Sequence, residues 1–349
     1  MRTIDLRRDT ITLPIPEMVE KAFKAPLGDS VYGEDPKQEE LEQYAAEKLG
    51  KEEAIFVPSG TMGNLIAVLA HTRRGDEIIL EENAHIRTSE TGGAATVGGV
   101  MLKTIRGKDG APDPSSVEGA IRADDIHYPK TSLICLENTH YRYGGIVPPL
   151  DKFYRIRAIS HKHGIPIHLD GARLFNASVY LEVDVRTLTE LVDTVMVSLS
   201  KGLGAPVGSI LCGPRDFIKE AKRYRKMLGG GMRQTGWLCA CGLIALSERS
   251  INQIQEDHAN TRLLAENIAA IPGLEVDLDR VHTNFVFGKI IETGFDAAHC
   301  IKHLARNGIL ATSVAESMIR FMISKEVRRS DIVFTIDVMR NIFNKQLGS

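Results

Sequence analysis

Short apolar runs alternate with longer segments of helical spacing along most of the chain. Each run is bounded by glycine, proline or other turn-forming residues, which is typical of a buried strand between two turns. The runs lie at residues 54–57, 77–80, 100–105, 132–137, 165–170, 195–197 and 209–212. Because strands that alternate with helices form sheets covered on both faces, this order predicts an α/β fold with a mostly parallel central sheet.

The pattern changes near residue 250. The elements predicted beyond it are a long helix over 251–271, short strands near 284–288 and 318–323, and helices near 297–307 and 330–345. A chain of 349 residues is long enough for two domains. We predict a large domain over residues 31–250, a small α+β domain over 251–349, and an N-terminal segment over 1–30.

Two predicted strands end in side chains of opposite charge. The first ends in Asp170 ahead of a glycine, and the second leads through a serine-containing turn to Lys201, which small residues surround. Parallel strands bring their carboxyl ends to one edge of the sheet, where open α/β sheets bind ligands. Pyridoxal 5′-phosphate (PLP) needs an acid at its pyridine nitrogen and a lysine at its aldehyde, so the pair predicts a PLP site. Taken singly, Asp170 also fits a helix N-cap, and Lys201 fits a lysine whose ammonium group lies in solvent.

A small-residue turn follows the first strand of the large domain. Ser59, Gly60 and Thr61 lie between the strand at 54–57 and a predicted helix. A strand, a turn of this kind and a helix N-terminus together present backbone N–H groups to a phosphate. An ordinary capped helix has the same pattern, so the turn supports a phosphate site without establishing it.

Composition narrows the class of protein. The chain is 43% hydrophobic and 25% charged with a formal net charge of −2, which gives no reason to expect nucleic acid or an anionic membrane as partner. The first residues lack an apolar signal core, and no apolar stretch is long enough to cross a bilayer. Five cysteines, without the spacing of a metal site, predict reduced core residues of a cytoplasmic protein that binds no metal.

Seven stretches between residues 5 and 240 carry a resemblance to a known family. They are DLRRDT, VYGEDP, FVPSGTMGNLIAVLAHTRRGDEII, ENTH, HLDGARLFNAS, SLSKGLGAPVGS and RKMLGGGMRQ. In this order they resemble the threonine aldolase family of PLP-dependent, aspartate-aminotransferase-like (fold-type I) enzymes. The remaining chain matches more loosely, chiefly through MIR at 318–320. The resemblance implies retro-aldol cleavage of a β-hydroxy-α-amino acid, L-threonine or L-allo-threonine, to glycine and acetaldehyde.

The resemblance also implies a role for particular residues around the cofactor. Lys201 forms the Schiff base with PLP, Asp170 contacts the pyridine nitrogen, and His85 stacks on the ring. The phosphate is held by the turn at 59–61. Three further residues, Lys226, Arg233 and Tyr32, are expected to reach the cofactor of a neighbouring subunit, within a homotetramer built as a pair of dimers. The N-terminal segment is expected to pack at the active site and the subunit interface.

Other residues are expected at the substrate. Arg173 and Arg320 match the arginines that bind the substrate carboxylate, a role for which the planar guanidinium is suited. His127 matches a histidine placed near the β-hydroxyl, and either His85 or His127 is expected to be the base, directly or through a water.

One residue departs from the family pattern at the substrate end. Arg8 stands in DLRRDT where the family usually has a serine close to the substrate carboxylate. A third cation beside Arg173 and Arg320 favours a substrate with a second carboxylate, such as a β-hydroxyaspartate. Alternatively, Arg8 turns outward and pairs with a surface carboxylate.

Several other functions remain open at this stage. The same site chemistry serves β-elimination, racemisation, transaldol transfer or cleavage of another β-hydroxy amino acid such as phenylserine. A non-catalytic binding protein with this fold is disfavoured because Lys201, Asp170 and both arginines are retained. A dinucleotide-dependent dehydrogenase is disfavoured because no GxGxxG follows the first strand.

Overall fold

The computed structural model of the protein describes residues 3–291 and 295–347. Its strands are β1 (Ile4–Asp5), β2 (Glu53–Val57), β3 (Glu77–Glu81), β4 (Met101–Ile105), β5 (Gly107–Lys108), β6 (Ala111–Pro112), β7 (Thr131–Glu137), β8 (Ile167–Asp170), β9 (Thr194–Ser198), β10 (Ser209–Gly213), β11 (Leu274–Glu275), β12 (Phe285–Ile290), β13 (Ile309–Leu310), β14 (Thr312–Ala315) and β15 (Met318–Met322). Its α-helices are α1 (Pro16–Phe23), α2 (Pro36–Leu49), α3 (Gly60–His71), α4 (His85–Thr88), α5 (Gly93–Thr96), α6 (Pro114–Ala120), α7 (Leu150–His163), α8 (Leu174–Leu181), α9 (Val185–Thr189), α10 (Arg215–Met227), α11 (Gly236–Ala245), α12 (Glu248–Ala269), α13 (Ala297–Arg306) and α14 (Arg329–Leu347).

A seven-stranded sheet organises the larger part of the molecule. Its strand order is β2-β10-β9-β8-β7-β3-β4, and neighbours from β9 to β4 pair in parallel. Only β10 runs against its neighbours, because it pairs antiparallel with both β9 and β2. Every residue of β3, β7, β8, β9 and β10 is buried, as expected for strands with helices on both faces. The predicted mostly parallel α/β fold is confirmed.

The sheet register brings polar residues of adjacent strands together at one edge. Glu137 is the last residue of β7 and pairs with Asp170, the last residue of β8. Lys201 follows the end of the next strand, β9, by three residues. The carboxyl ends of these three parallel strands therefore face the same side of the molecule.

Helix α3 begins directly beyond β2 because Ser59 caps it. The Ser59 hydroxyl accepts a hydrogen bond from the backbone N–H of Met62 at 3.2 Å, which satisfies one of the free donors of the first turn. The helix N-terminus thus lies at the same sheet edge as the ends of β7, β8 and β9.

A second, antiparallel sheet lies in the C-terminal part. Its order is β11-β12-β15-β14, and helices α12, α13 and α14 pack with it around a separate apolar core. The predicted strands at 284–288 and 318–323 correspond to β12 and β15. The proposed domain limits at residues 30 and 250 stay a prediction.

The N-terminal segment is held by the C-terminal part. Strand β1 pairs in parallel with β13, Ile4 opposite Ile309, and the hydroxyl of Thr12 donates to the carbonyl of Lys201 at 2.8 Å. This pairing carries residues 7–12 across the end of the large sheet. The short strands involved were not predicted, since two residues of strand leave no periodic signal.

All five cysteines are buried and free, as predicted for reduced core residues. None of the helices in residues 3–291 and 295–347 has both the length and the apolar composition that crossing a bilayer requires.

Candidate active site

A cavity of about 440 Å³ opens where the carboxyl ends of the parallel strands meet the N-terminal segment and β15. Five of the residues singled out in the sequence line it: Arg8, His85, Arg173, Lys201 and Arg320. They come from parts of the chain up to 312 residues apart, and no local pattern relates them. Only the tertiary structure brings them together.

Lys201 lies in the turn after β9. Burial, and after it the charge of the nearby Arg173, lower the pKa of its amine to about 8. The carboxylates of Asp9 and Asp170 act in the opposite direction and are outweighed. A lysine with a lowered pKa carries a sizeable fraction of free amine near neutral pH, which nucleophilic attack on a carbonyl requires.

Asp170 is held by donors on both of its carboxylate oxygens. Its Oδ1 accepts from the backbone N–H of Ala172 at 3.0 Å, and its Oδ2 accepts from the side-chain amide of Asn64 at 2.8 Å. The side chain is almost fully buried, so these bonds replace the solvent that would otherwise stabilise an ionised carboxylate. These bonds fix the orientation of the carboxylate, as a partner for a ring nitrogen requires.

A buried chain of hydrogen bonds supports Asn64 from behind. Its Oδ1 lies 3.0 Å from Nε2 of His168, whose Nδ1 lies 3.0 Å from the hydroxyl of Thr194. That hydroxyl in turn lies 3.1 Å from Nε2 of His71. Burial lowers the pKa of His168 to about 3, so the ring is neutral and donates from Nε2 to Asn64. Both amide N–H groups of Asn64 are thereby directed at acids.

His85 is positioned by two glutamates. Its backbone N–H donates to Oε2 of Glu137 at 2.7 Å, and its Nδ1 lies 2.9 Å from Oε1 of Glu90. Burial by itself would lower the pKa of His85, but the bond to Glu90 and the charge of Asp170, 4.0 Å away, raise it. Where Nδ1 donates in this bond, Nε2 is left to accept a proton.

The same glutamate, Glu137, also anchors the next turn. Its Oε1 accepts from the backbone N–H of Tyr141 at 2.8 Å, so one carboxylate places both His85 and Tyr141 at the cavity. The structure thus gives Glu137, the glutamate of the ENTH stretch, a positioning role at the cavity.

Arg173 is tied to a residue that the sequence analysis did not single out. Its Nε and Nη2 donate to the two oxygens of Asp9 at 2.6 and 2.8 Å, and both side chains are buried. Asn284 adds a bond to Asp9 at 3.2 Å, and the rings of Tyr141 and Phe285 lie 5.3 and 5.2 Å from the guanidinium. Among the described residues, Nη1 of Arg173 has no hydrogen-bond partner.

Arg320 projects from β15 and, within the described part of the chain, bonds only to neutral groups. Its Nη1 donates to the hydroxyl of Tyr141 at 2.7 Å and its Nη2 to the carbonyl of Arg7 at 3.2 Å, while its Nε is buried without a partner. A guanidinium whose charge no acid compensates is suited to bind an anion.

The turn at 59–61 does not line the 440 Å³ cavity but lies at the same sheet edge. A Cβ at Gly60 would come within 3.0 Å of the Met196 side chain, so the turn has little room for a larger residue. The buried Ser209 hydroxyl, 3.5 Å from that Cβ position, has no hydrogen-bond partner. A free hydroxyl beside a helix N-terminus fits the predicted phosphate cradle.

The structure does not bring His127 to this site. Its side chain is 77% exposed and bonds to Asp125 at 2.7 Å, in the loop before β7. That loop lies at the amino end of the strand, whereas the cavity lies at the carboxyl end. The expectation that His127 stands beside the substrate hydroxyl is therefore corrected for the single chain.

Tyr32, Lys226 and Arg233 lie apart from the cavity as well. The first two line a separate cavity of about 630 Å³, and Arg233 pairs with Asp29 at 2.8 Å with Tyr32 beneath its guanidinium. Their role toward a neighbouring subunit stays a prediction.

The residues that sequence reasoning missed are the ones that hold the others in place: Asp9, Asn64, Glu90, Glu137 and Tyr141. Three of them stand inside stretches quoted for the family resemblance, DLRRDT, FVPSGTMGNLIAVLAHTRRGDEII and ENTH. A polar residue within a stretch otherwise made of apolar positions, as Asn64 is in α3, is the signal that could have found it.

Asn64→Leu is expected to destabilise the protein by about 2–4 kcal/mol, because two buried carboxylates and His168 lose a partner at once. Urea denaturation followed by circular dichroism measures the change. Asn176→Leu is the matched control: Asn176 is buried and bonds to His258 at 3.1 Å, but contacts no acid. Equal losses for the two variants would contradict a special role for Asn64.

Known proteins resemble this chain over most of its length. Residues 5–291 match the Beta-eliminating lyase family. A curated relative, low-specificity L-threonine aldolase 1 of Arabidopsis thaliana, is 45% identical over 96% of this chain and 95% of its own length.

Solved structures show the same fold at lower identity. The threonine aldolase of Leishmania major has a TM-score of 0.82 at 19% identity, covering 97% of this chain and 99% of its own. A structure of SPT with PLP as internal aldimine has a TM-score of 0.77 at 17% identity, covering 97% and 87%. The matches over nearly the whole chain place this protein in the Beta-eliminating lyase family, among the threonine aldolases.

Proposed function

We propose that this protein is a PLP-dependent aldolase that cleaves L-threonine or L-allo-threonine to glycine and acetaldehyde. The observation that carries the proposal is the meeting of Lys201, His85, Arg173 and Arg320 in one cavity with Asp170 buried beneath it. The activity of the Arabidopsis relative, as its name states it, supports the same reaction.

The residues present fit PLP. Asp170 supplies an acid with fixed orientation, Lys201 an amine whose pKa is about 8, and the α3 N-terminus with Ser59 and Thr61 a phosphate site. Both polar atoms of the Asn138 amide are buried without a partner next to Asp170, a costly arrangement unless a bound group completes it. PLP, when bound, supplies an electron sink for the carbanion left at Cα.

The chain's own residues account for substrate binding and proton transfer. Arg320, together with the free Nη1 of Arg173, binds the α-carboxylate and fixes the orientation of Cα. His85, whose pKa the neighbouring carboxylates raise, takes the proton of the β-hydroxyl as the Cα–Cβ bond breaks. Of the two histidines considered for this step, only His85 lines the cavity.

A product assay tests the proposal. The purified protein, loaded with PLP, is supplied with L-threonine and L-allo-threonine separately, and glycine and acetaldehyde are quantified. Equal amounts of both products are expected. The family match to β-eliminating lyases makes elimination the second candidate; 2-oxobutanoate and ammonia in place of glycine would establish it and overturn the aldolase.

We further propose a homotetramer built as a pair of dimers, in a reducing, cytoplasmic compartment. The cavity lined by Tyr32 and Lys226, with no role in its own chain's site, supports a shared active site, and the five free buried cysteines suit a reducing compartment. Sedimentation equilibrium of the purified protein tests the assembly.

The amine of Lys201 is expected to titrate near pH 8 in the cofactor-free protein. Because only the free amine attacks an aldehyde, the rate of PLP uptake should rise about tenfold per pH unit below pH 8 and level off above it. Stopped-flow absorbance between pH 6 and 10 measures this rate. A rate that still rises through pH 10 would show an ordinary lysine amine.

A further inference from the structure

The cavity carries far more positive than negative charge. Besides His85, six arginine and lysine side chains line it, namely Arg7, Arg8, Arg142, Arg173, Lys201 and Arg320, against a single acid, Asp9, among the described residues. Guanidinium groups gathered in one cavity repel one another unless anions lie between them. The number of anionic groups that a ligand should carry therefore depends on how many of these cations already have an acidic partner.

Three of the six are accounted for within the protein or by the cofactor. Asp9 neutralises Arg173, and Asp5 pairs with Arg7 at 2.5 Å. Lys201 carries a lowered pKa and is the residue proposed to hold PLP. The PLP phosphate is expected at the α3 N-terminus, outside this lining.

Arg320 takes the carboxylate that every amino acid substrate carries. Among the described residues its Nη1 and Nη2 donate to a hydroxyl and a carbonyl and not to an acid, and its buried Nε is without a partner. One α-carboxylate satisfies this arginine, so a substrate with a single anionic group brings no anion to the last two cations.

Those two are Arg8 and Arg142. Both side chains are exposed at the mouth of the cavity. The charge of Arg8 helps to lower the pKa of Asp5, but among the described residues Arg8 forms no ion pair or hydrogen bond, and Asp5 is already paired with Arg7. The polar contact of Arg142 is a long one of 3.5 Å to the Ser89 hydroxyl. The contact with Ser89 puts Arg142 beside the short helix α4 that begins with His85.

This placement gives the second anion a position relative to the reacting bond. His85 is the group proposed to take the β-hydroxyl proton, so Arg142 lies on the side of the cavity where Cβ and its substituent are held. An anionic group on that substituent meets the forked donors of Arg142 and Arg8, which can bond to two oxygens of a carboxylate or phosphate at once.

We propose that the preferred substrates are β-hydroxy-α-amino acids whose side chain ends in a carboxylate or a phosphate, bound there by Arg8 and Arg142. The inference rests on the proposed aldolase function. For 3-hydroxyaspartate the Cα–Cβ bond breaks, the hydroxyl proton passes to His85, a C=O bond forms at Cβ, and Cα regains a proton. The products are glyoxylate and glycine, and no oxidant or other co-reactant is needed.

The test compares kcat/KM for 3-hydroxyaspartate, 4-phosphooxythreonine and threonine in the PLP-loaded enzyme. At least one anionic substrate should exceed threonine, and which of the two does so identifies the anion. In Arg8→Ser and Arg142→Ser the ratio of anionic substrate to threonine should fall by about tenfold or more, as expected for lost bonds to a charged group. Arg7→Ser is the matched control, since Arg7 lines the same cavity but is already paired.

Binding provides a readout independent of turnover. Calorimetry of the wild-type enzyme should show succinate binding more tightly than acetate, with the difference lost in Arg8→Ser and Arg142→Ser and kept in Arg7→Ser. The inference would be overturned if the enzyme cleaves threonine, shows no preference for an anionic substrate, and keeps the same ratio of anionic substrate to threonine in both variants. The proposed aldolase function would be unaffected by that result. No cleavage of any of the three substrates would overturn the proposed function, and the binding of succinate would then decide the anion site by itself.

Discussion

Lys201→Ala is expected to lower kcat for threonine cleavage by on the order of 10³-fold or more and to abolish the absorbance of protein-bound PLP above 400 nm. The amine is the one group in the described cavity lining that can bond covalently to the cofactor aldehyde. Its pKa of about 8 makes it reactive at neutral pH. Product formation and absorption spectra of wild type and variant measure both effects.

Loss of activity in this variant will not come from unfolding. Burial disfavours the charged form of Lys201, so removing the amine relieves a cost and should leave the free energy of unfolding at least as high as in wild type. Lys51→Ala is the matched control, because Lys51 is also partly buried with a pKa lowered chiefly by burial, but bonds to the carbonyls of Thr189 and Val192 away from the cavity. Lys51→Ala should lower the free energy of unfolding, because two carbonyls lose their donor, and should leave the activity unchanged. Undiminished acetaldehyde production by Lys201→Ala would refute the assigned role.

Asp9→Asn is expected to cost about 3–5 kcal/mol of stability, the largest loss we expect from a single polar substitution. Asp9 is 1% exposed and bonds through both oxygens to Arg173, so the variant leaves a buried guanidinium without a counter-charge. Without its counter-charge, Arg173 should also turn toward the substrate carboxylate and hold the substrate out of position. We expect a higher KM or a lower kcat as a result. Urea unfolding and steady-state kinetics measure the two effects.

The pH dependence of the same pair has a definite sign. Burial by itself would raise the pKa of Asp9, but Arg173 outweighs it and lowers that pKa below its usual value. The stability contributed by the pair is therefore present above the unfolded-state pKa, near 3.8, and is lost as the pH falls through the folded-state value. In Asp9→Asn the acid unfolding transition should shift toward higher pH.

Asp5→Asn is the control for position in the chain. Asp5 pairs with Arg7 in the same segment, but both side chains are partly exposed at 19% and 40%, and an exposed pair contributes about 0–1 kcal/mol. Losses of similar size in Asp5→Asn and Asp9→Asn would contradict a structural role for the Asp9–Arg173 pair.

The sequence alone determined the order of the strands along the chain and the type of sheet, and it pointed to Asp170 at the end of β8 and to Lys201 in the turn after β9. These are local properties: a strand, its turn and the residue that ends it are neighbours in the chain, and parallel pairing then brings strand ends to one edge. The resemblance to a family named His85, Arg173 and Arg320 as well, because motifs carry residue identity without needing their contacts.

Only the tertiary structure decided how these residues are held and what they face. The bond between Asp9 and Arg173 joins positions 164 residues apart, and that between Asn64 and Asp170 joins positions 106 apart. No pattern along the chain encodes such a pairing, since it depends on how β1, α3 and β8 pack against one another. The same packing keeps His127 at the opposite edge of the sheet and leaves Arg8 and Arg142 without an ion pair among the described residues, because side chains meet according to where the backbone places them.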